Sequence, residues 1–378
     1  MGASLDNLRV LDFSRVLAGP FATMMLADLG ATVTKVERPL TGDDTRTWGP
    51  PYDEHGQATY FQAVNRNKDA IVLDLADERG RAEARRLAAS ADIVVENFRS
   101  GLMTQFGLDY DQLKQDNPGL IYCSITGFGR GPGADLPGYD LLIQAVGGLM
   151  SITGSPQGEP QKVGFAIVDV LAGLYSTVGI LAALQHRVTT GEGQRVDIDL
   201  LSCLLAGLVN QGSAYTSGGV TPQRMGNHHP SIAPYELVAC ADRDLVLAVG
   251  NDRQFTSLCE VLGAPWLATD VRFATNPARV EHRRQLRDEL ESLLAARPAA
   301  EWTKALAEAR VPAGVVNDIA DAFELADDLG LSPIVSLPRV DGSSVSLSRN
   351  PINLSATPPA YRSAPPEFPK TTLPQGNR

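Results

Sequence analysis

Two short apolar strand patterns separated by one apolar helical stretch decide what the opening of this chain can become. Residues 8–13 read as a buried strand, residues 21–29 as an apolar helix, and residues 31–37 as a second strand rich in β-branched side chains. Pro20 suits the first turn of that helix and Gly30 its end. Parallel strands joined by a helix define the α/β class. The pattern repeats, with strands at 70–75, 92–96 and 120–125, a helix at 78–89 and helical turns at 102–106. Residues 127–138 form a loop holding five glycines and two prolines. A helix at 139–149, a second loop at 154–164, a long helix at 169–186, a strand at 195–199 and an apolar helix to residue 210 follow.

The composition then shifts. Residues 211–226 are rich in Gly, Ser and Thr and read as a linker. Beyond it, a hairpin or strand pair at 237–249 and helices at 254–262, 279–295 and 300–309 predict a small α+β domain over 227–320. Residues 1–210, completed by 325–378, are expected to form a large Rossmann-like α/β domain around a parallel sheet. Residues 321–329 read as helical. The end is proline-rich (Pro358, Pro359, Pro365, Pro366, Pro369, Pro374) and is expected to be extended and partly disordered. A length of 378 residues suits two cores.

Charge and cysteine usage narrow the function classes. A net charge of −11 argues against nucleic acid as a partner, because phosphate backbones attract basic surfaces. It leaves room for a small anionic ligand, since a few arginines in one cleft reverse the sign locally. Cys123, Cys203, Cys240 and Cys259 form no C-x-x-C pair and read as core residues of a reducing compartment. The N-terminal residues lack the apolar run of a signal peptide, and the apolar stretch at 170–184 reads as shorter than a membrane span. A cytoplasmic protein without a membrane partner is the expectation.

Four features carry possible chemistry. The turn after the first strand, Ser14-Arg15-Val16-Leu17-Ala18-Gly19-Pro20, lacks the G-x-G-x-x-G that close approach to a pyrophosphate needs, which argues against a dinucleotide site. Arg15 and Arg38 instead stand near the carboxyl ends of the first two strands, where ligands bind in open α/β sheets. Guanidinium groups there suit phosphates, though solvated surface arginines would give the same spacing. Asp169 opens a very apolar helix. It reads either as an N-cap or as a carboxylate held ionised by the helix N-terminus and ready to act as a nucleophile. Small residues Ala172, Gly173 and Gly179 permit close approach around it. The loop Gly127-Phe128-Gly129-Arg130-Gly131-Pro132-Gly133 offers backbone donors to an anion or acyl group. His228 and His229 are adjacent and have no carboxylate or cysteine at ligand spacing, so no metal site is expected and a solvated loop is the plain reading. No G-x-S-x-G, H-E-x-x-H or Walker motif occurs.

Taken in order, these segments resemble the class III CoA-transferase family. The match runs through Leu11-Asp12-Phe13-Ser14-Arg15-Val16-Leu17-Ala18-Gly19-Pro20, Ala27-Asp28-Leu29-Gly30-Ala31, Val36-Glu37-Arg38-Pro39 and Asn65-Arg66-Asn67-Lys68. It continues through Ala91-Asp92-Ile93-Val94-Val95-Glu96-Asn97-Phe98-Arg99, Pro137-Gly138-Tyr139-Asp140, Asp169 and Gly226-Asn227-His228-His229-Pro230. The resemblance implies an interlocked homodimer whose partners are an acyl-CoA donor and a carboxylic acid acceptor, with no permanently bound cofactor. It implies that the acyl group passes onto Asp169 as a mixed anhydride. CoA would lie along Val16, Ala18, Arg38, Asn97, Phe98 and Tyr139, and the segment at residues 227–230 would be mobile.

Three departures bear on specificity. Leu17 stands where formyl-CoA transferase has a glutamine, which argues against formyl or oxalyl substrates. Gln105 replaces an arginine usual in relatives, and Arg99 is the cation nearest in sequence to compensate. The proline-rich end replaces a closing helix. The alternatives are an α-methylacyl-CoA racemase and a catalytically silent CoA-binding protein. Tyr139 stands where the racemases carry histidine, and a tyrosine, with an ordinary pKa of about 10, is a poor acid or base at the α-carbon. The presence of Asp169 argues against a silent protein.

Overall fold

The computed structural model describes residues 2–368. Along the chain run β1 (Arg9–Asp12), α1 (Ala18–Asp28), β2 (Thr32–Glu37), α2 (Thr59–Ala63), β3 (Lys68–Val72), α3 (Glu78–Ala89), β4 (Ile93–Glu96), α4 (Leu102–Phe106), α5 (Tyr110–Asp116) and β5 (Ile121–Thr126). Next come α6 (Asp140–Val146), α7 (Leu149–Ile152), α8 (Ile167–Thr190), β6 (Arg195–Asp199), α9 (Leu200–Gly207) and α10 (Val209–Thr216). The remainder holds β7 (Tyr235–Ala239), β8 (Asp244–Ala248), α11 (Asp252–Val261), α12 (Asn276–Glu281), α13 (Arg283–Leu294), α14 (Ala299–Glu308), β9 (Ala313–Val315), α15 (Ile319–Asp328), β10 (Ile334–Pro338) and β11 (Ser344–Ser348).

The chain divides into two compact units. One draws on residues up to Leu149, on Lys162–Val220 and on the chain from Ser332; the other on Met150–Gln161 and Thr221–Leu331. The expected linker at 211–226 thus begins inside α10, because helical backbone resumes after Leu208 despite the polar composition. Residues 150–161 join the second unit, where Arg224 donates to the carbonyls of Ser151, Ser155 and Gly158.

The first unit is built on one six-stranded sheet in the order β3-β2-β1-β4-β5-β6, and every neighbouring pair is parallel. Alternation along the strands explains two cores rather than one. Val10, Ile93, Val95, Ile121 and Cys123 point to one face and pack with Leu26, Ala27, Ala172 and Ile180 of α1 and α8. Leu11, Val94 and Tyr122 point to the other face, where Ala84 and Ala88 of α3 cover them. The order reverses between β1 and β4, and that crevice at the carboxyl ends is where such sheets bind ligands.

Helix α8 corrects one expectation. At 24 residues it is long and apolar enough to cross a membrane by length and composition alone, because the helix begins at Ile167 and continues to Thr190, beyond both ends of the stretch at 170–184. In this fold 44% of its apolar window is buried, against α1 and the sheet. Gly173 allows the close packing on α1: a Cβ there would lie 2.8 Å from the Ala18 carbonyl oxygen.

The proline-rich end is also more ordered than expected as far as residue 368; Pro369 and Pro374 lie outside the described residues. β10 and β11 pair antiparallel, and the chain after them is tied down by side chains. The Asn67 amide donates to the Ser363 carbonyl, Asn67 Oδ1 accepts from the Ser363 amide, and Arg362 donates to the carbonyls of Ala27, Gly30 and Ala31. The hub is Asp28, whose buried carboxylate accepts from Arg66 Nη2 at 2.6 Å, Asn67 Nδ2 at 2.8 Å and Asn350 Nδ2 at 3.0 Å.

The second unit carries a three-stranded antiparallel sheet, β7-β8-β9, where a strand pair was expected. The single helix expected at 279–295 is two, α12 and α13, parted at His282. Arg279, with no exposed surface, donates to the Ala233 and Phe273 carbonyls and to Asp252 and lies over the Phe255 ring.

Asp28 yields the first prediction. Asp28→Ala leaves a buried guanidinium unpaired, which costs about 3–5 kcal/mol of unfolding free energy. Denaturant unfolding of the variant measures it, and a loss below about 1 kcal/mol would show that Asp28 does not bear this load.

Candidate active site

The loops leaving β1 and β4 meet at the switch point. The Arg15 amide donates to Asn97 Oδ1 at 2.8 Å, and Asn97 Nδ2 donates back to the Arg15 carbonyl at 2.6 Å. Between them Val16 sits at φ 69°, a left-handed conformation that a β-branched residue rarely adopts. Such strain persists only where neighbours over-determine it. Here the Val16 amide donates to Asp43 Oδ1 at 3.3 Å, and Asp43 Oδ1 also accepts from the Thr45 amide and hydroxyl.

Beneath the loop lie four charges with almost no exposure: Asp12, Lys35, Asp43 and Lys68. Lys35 Nζ is 2.8 Å from Asp43 and donates to the Ser14 carbonyl at 2.9 Å. Lys68 Nζ is 3.2 Å from Asp12 and donates to the Pro20 carbonyl at 2.9 Å. Burial opposes every one of these charges. In Asp12 the two lysines outweigh it and hold the carboxyl below its ordinary value; in Lys35 the two aspartates outweigh it and hold the ammonium above its own. For Lys68 burial wins, and its value falls to about 8.

Asp169 is the third residue of α8, not its cap. The helix follows Ala166, which has no capping oxygen, and the cap comes from elsewhere: Asp140 Oδ1 accepts from the Val168 amide at 2.8 Å and the Asp169 amide at 3.3 Å. Asp140 is placed by the close contact of Gly127 with Gly138, where a Cβ on Gly127 would lie 2.6 Å from the Gly138 Cα. The Asp169 carboxyl is therefore not neatly ionised as the helix N-terminus alone suggests. Burial first, then the Asp140 charge, push it up to about 7.

One cavity of about 260 Å³ gathers these parts. Its walls include Arg15, Val16, Ala18, Asn97, Phe98, Arg99, Tyr139 and Asp169, so every site residue expected from the sequence lies there except Arg38. Arg38 lines an adjoining cavity of about 270 Å³ with Leu73, Leu75 and Phe106; Arg15 and Phe98 belong to both. Neither Arg15 nor Arg38 is an unengaged cation: Arg15 is 3.4 Å from Asp44, and Arg38 contacts the same carboxylate. Gln105 lines neither cavity.

Sequence reading missed three participants. Asp44 lines the first cavity, yet nothing in its turn marked it. Tyr60, half-buried on α2 and edge-on to Trp48 at 5.4 Å, feels the Asp169 side directly: burial and then the charges of Asp169, Asp140 and Asp43 push its hydroxyl up to about 12. Asp140 stood in a motif without a role. His228 lies in the second unit, 2.8 Å from the buried Glu236, rather than in a freely solvated loop. Among the described residues no group of three or more His, Cys, Asp or Glu is arranged to hold a metal ion.

A partly buried carboxylate facing an open cavity, near-balanced between its two protonation states, is equipped for nucleophilic or proton-transfer chemistry. The comparisons decide the class of reaction. A family model described as CoA-transferase family III matches residues 5–372. The succinate–glutarate CoA-transferase of Agrobacterium fabrum is 46% identical over 375 residues, 96% of this chain and 92% of its own. The acetyl-CoA:oxalate CoA-transferase of Acetobacter aceti is 40% identical over 352 residues, covering 93% and 89%. A crystal structure of a CAIB/BAIF family protein from Brucella suis superposes with a TM-score of 0.86 at 45% identity, covering 97% of both chains. The cavity at the switch point thus belongs to an enzyme that moves CoA between acyl donors and carboxylate acceptors, and the chain is a member of CoA-transferase family III.

Proposed function

We propose that this enzyme exchanges CoA between short dicarboxylic acids through covalent intermediates on Asp169. The observation that carries the reading is that Asp169, in the first turn of α8, opens into the same cavity as both loops of the sheet's switch point. The names of the relatives from Agrobacterium fabrum and Mus musculus, succinate–glutarate and succinyl-CoA:glutarate CoA-transferase, support the dicarboxylate class. Leu17 on the cavity wall gives a methylene chain apolar contact and offers oxalate nothing.

The chemistry balances without a general acid. An Asp169 oxygen attacks the thioester carbonyl, the C–S bond breaks, and CoA leaves as a thiolate, whose parent thiol has a pKa of about 8.5. The thiolate then attacks the Asp169 carbonyl carbon of the mixed anhydride and expels the donor acid as its carboxylate. The acceptor carboxylate attacks the resulting aspartyl thioester and expels the thiolate again. Finally the thiolate attacks the new acyl carbonyl, giving product thioester and restoring Asp169. Each tetrahedral oxyanion needs donors. The Val168 and Asp169 amides are already given to Asp140, so the cavity-lining backbone at Gly127 and Gly138 is the source left from the sequence reading.

In this reading the pantetheine arm lies along Val16, Ala18, Asn97, Arg99 and Tyr139. The nucleotide end reaches the adjoining cavity, where Leu73, Leu75 and Phe106 suit a flat base. Arg15 and Arg38 would exchange Asp44 for phosphate. The functional unit is an interlocked homodimer in the cytoplasm. Exposed apolar side chains on α8 and α10, Val178 at 63% and Val209 at 71%, support a second copy covering them. The four free cysteines agree with a reducing compartment.

Incubation with succinyl-CoA and hydroxylamine should leave a hydroxamate on Asp169, and Asp169→Ala should abolish CoA exchange while still binding CoA; an active Asp169→Ala enzyme would end the covalent reading. Sedimentation of the wild type should give a dimer, and Val178→Asp should give a dimer that unfolds at lower denaturant concentration. A wild type that sediments as a monomer would contradict the dimer.

A further inference from the structure

We propose that Asp140 is a positioning residue for the nucleophile: by capping α8 from outside the helix it aims the Asp169 carboxylate into the cavity. The inference rests on the reading of Asp169 as the nucleophile. It starts from a gap in the sequence, since Ala166 cannot accept a hydrogen bond from the orphan amides of the first turn. Asp140 supplies the missing oxygen at 2.8 Å from the Val168 nitrogen and 3.3 Å from that of Asp169 itself.

The cap has one orientation. Its second oxygen accepts from Gln144 Nε2 at 2.5 Å, and the Gln144 carbonyl oxygen in turn accepts from the Val163 amide at 2.9 Å. Gln144 has no exposed surface, so the chain Val163–Gln144–Asp140–α8 is locked at every joint. Tyr139, the residue before, lines the cavity beside Asp169. The same short segment therefore both walls the substrate cavity and fixes the helix that carries the nucleophile. Displacing a nucleophile by about 1 Å costs on the order of a hundredfold in rate, so rigidity here has a catalytic consequence.

Asp140 also makes the free Asp169 carboxylate less comfortable than its acylated form. Two like charges are held close while Asp169 is ionised, and one vanishes when the anhydride forms. The charged and titratable groups that line the cavity with Asp169 are Arg15 and Arg99 from the switch-point loops, Asp44 from the turn after β2, and Tyr139; Tyr60 from α2 feels both carboxylates and Asp43. Burial and then Asp140 set the Asp169 value of about 7, so the rate should fall as pH drops through that value and Asp169 takes up its proton.

The test uses the full-length enzyme, with label exchange between succinyl-CoA and isotopically labelled succinate followed from pH 5 to pH 9 in roughly unit steps. Asp140→Ala removes cap and charge together, and kcat should fall on the order of a hundredfold while KM for succinyl-CoA stays within about threefold. Asp140→Asn keeps an oxygen for the α8 amides and removes the charge, though its amide nitrogen then faces the Gln144 Nε2 donor and gives up that bond. Its kcat should recover much of the loss, and the acid limb of its pH profile should move down by about one unit. An alanine variant with kcat near wild type, or an asparagine variant with an unmoved limb, overturns the proposal. If the alanine protein does not fold, the asparagine profile decides alone. Asp169→Ala run alongside separates the two claims. Activity there defeats the nucleophile reading, whereas its loss with wild-type behaviour at Asp140 defeats only the present one.

Discussion

Four buried charges under the carboxyl end of β1 are the constraint on which the site depends. Asp12, Lys35, Asp43 and Lys68 come from β1, β2, β3 and the turn after β2, and all have almost no contact with water. Isolated, each would be expelled from such a place or lose its charge. Paired, they fix three segments against one another. Lys35 holds the Ser14 carbonyl, Asp43 holds the Val16 amide and Lys68 holds the Pro20 carbonyl. The strained turn at Val16 and the start of α1 are thereby shaped before any ligand arrives. Removing one partner would release the loop that walls the cavity, not simply weaken the core.

A second constraint meets the first across that cavity. The close contact of Gly127 with Gly138 sets Tyr139 and Asp140, and Asp140 sets α8. The fold thus brings a preshaped loop and a fixed carboxylate to the lining of one cavity. The energetic character of the two sides differs. Under the loop, opposite charges cancel and stabilise the ionised forms of Asp12 and Lys35. At Asp169 burial meets a like charge, and together they push the carboxyl up to about 7.

How much of this was legible follows from the range of each interaction. The β1–α1–β2 unit was readable because both faces of the sheet are covered, which forces runs of β-branched and apolar residues. The strand expected at 70–75 is β3, Lys68–Val72, and the shift has a cause: Lys68 looks like a solvent residue but its ammonium is buried beside Asp12. Nothing local announces a partner so distant in sequence. Asp169 was readable as a lone acid at the mouth of an apolar helix, yet its cap, Asp140, lies in another loop. The order of the proline-rich segment up to residue 368 was hidden for the same reason. Its composition suits disorder, but its order comes from Asp28, Asn67 and carbonyls of the α1 terminus, none of which is nearby in sequence. Arg38 fell outside the main cavity because β2 ends beside β3, one strand removed from the switch point.

In the proposed mechanism the Asp169 carboxylate exchanges oxygen with its substrates by becoming an anhydride. Heavy-oxygen labelling of the acceptor acid reads this atom by atom. When labelled succinate attacks an aspartyl thioester and the thiolate then takes the acyl group, one acceptor oxygen stays behind on the enzyme. Mass spectrometry of the peptide containing Asp169 after turnover should therefore show heavy oxygen in that side chain, and nowhere else. An unlabelled Asp169 in enzyme that has turned over many times would mean the acyl group never resided there.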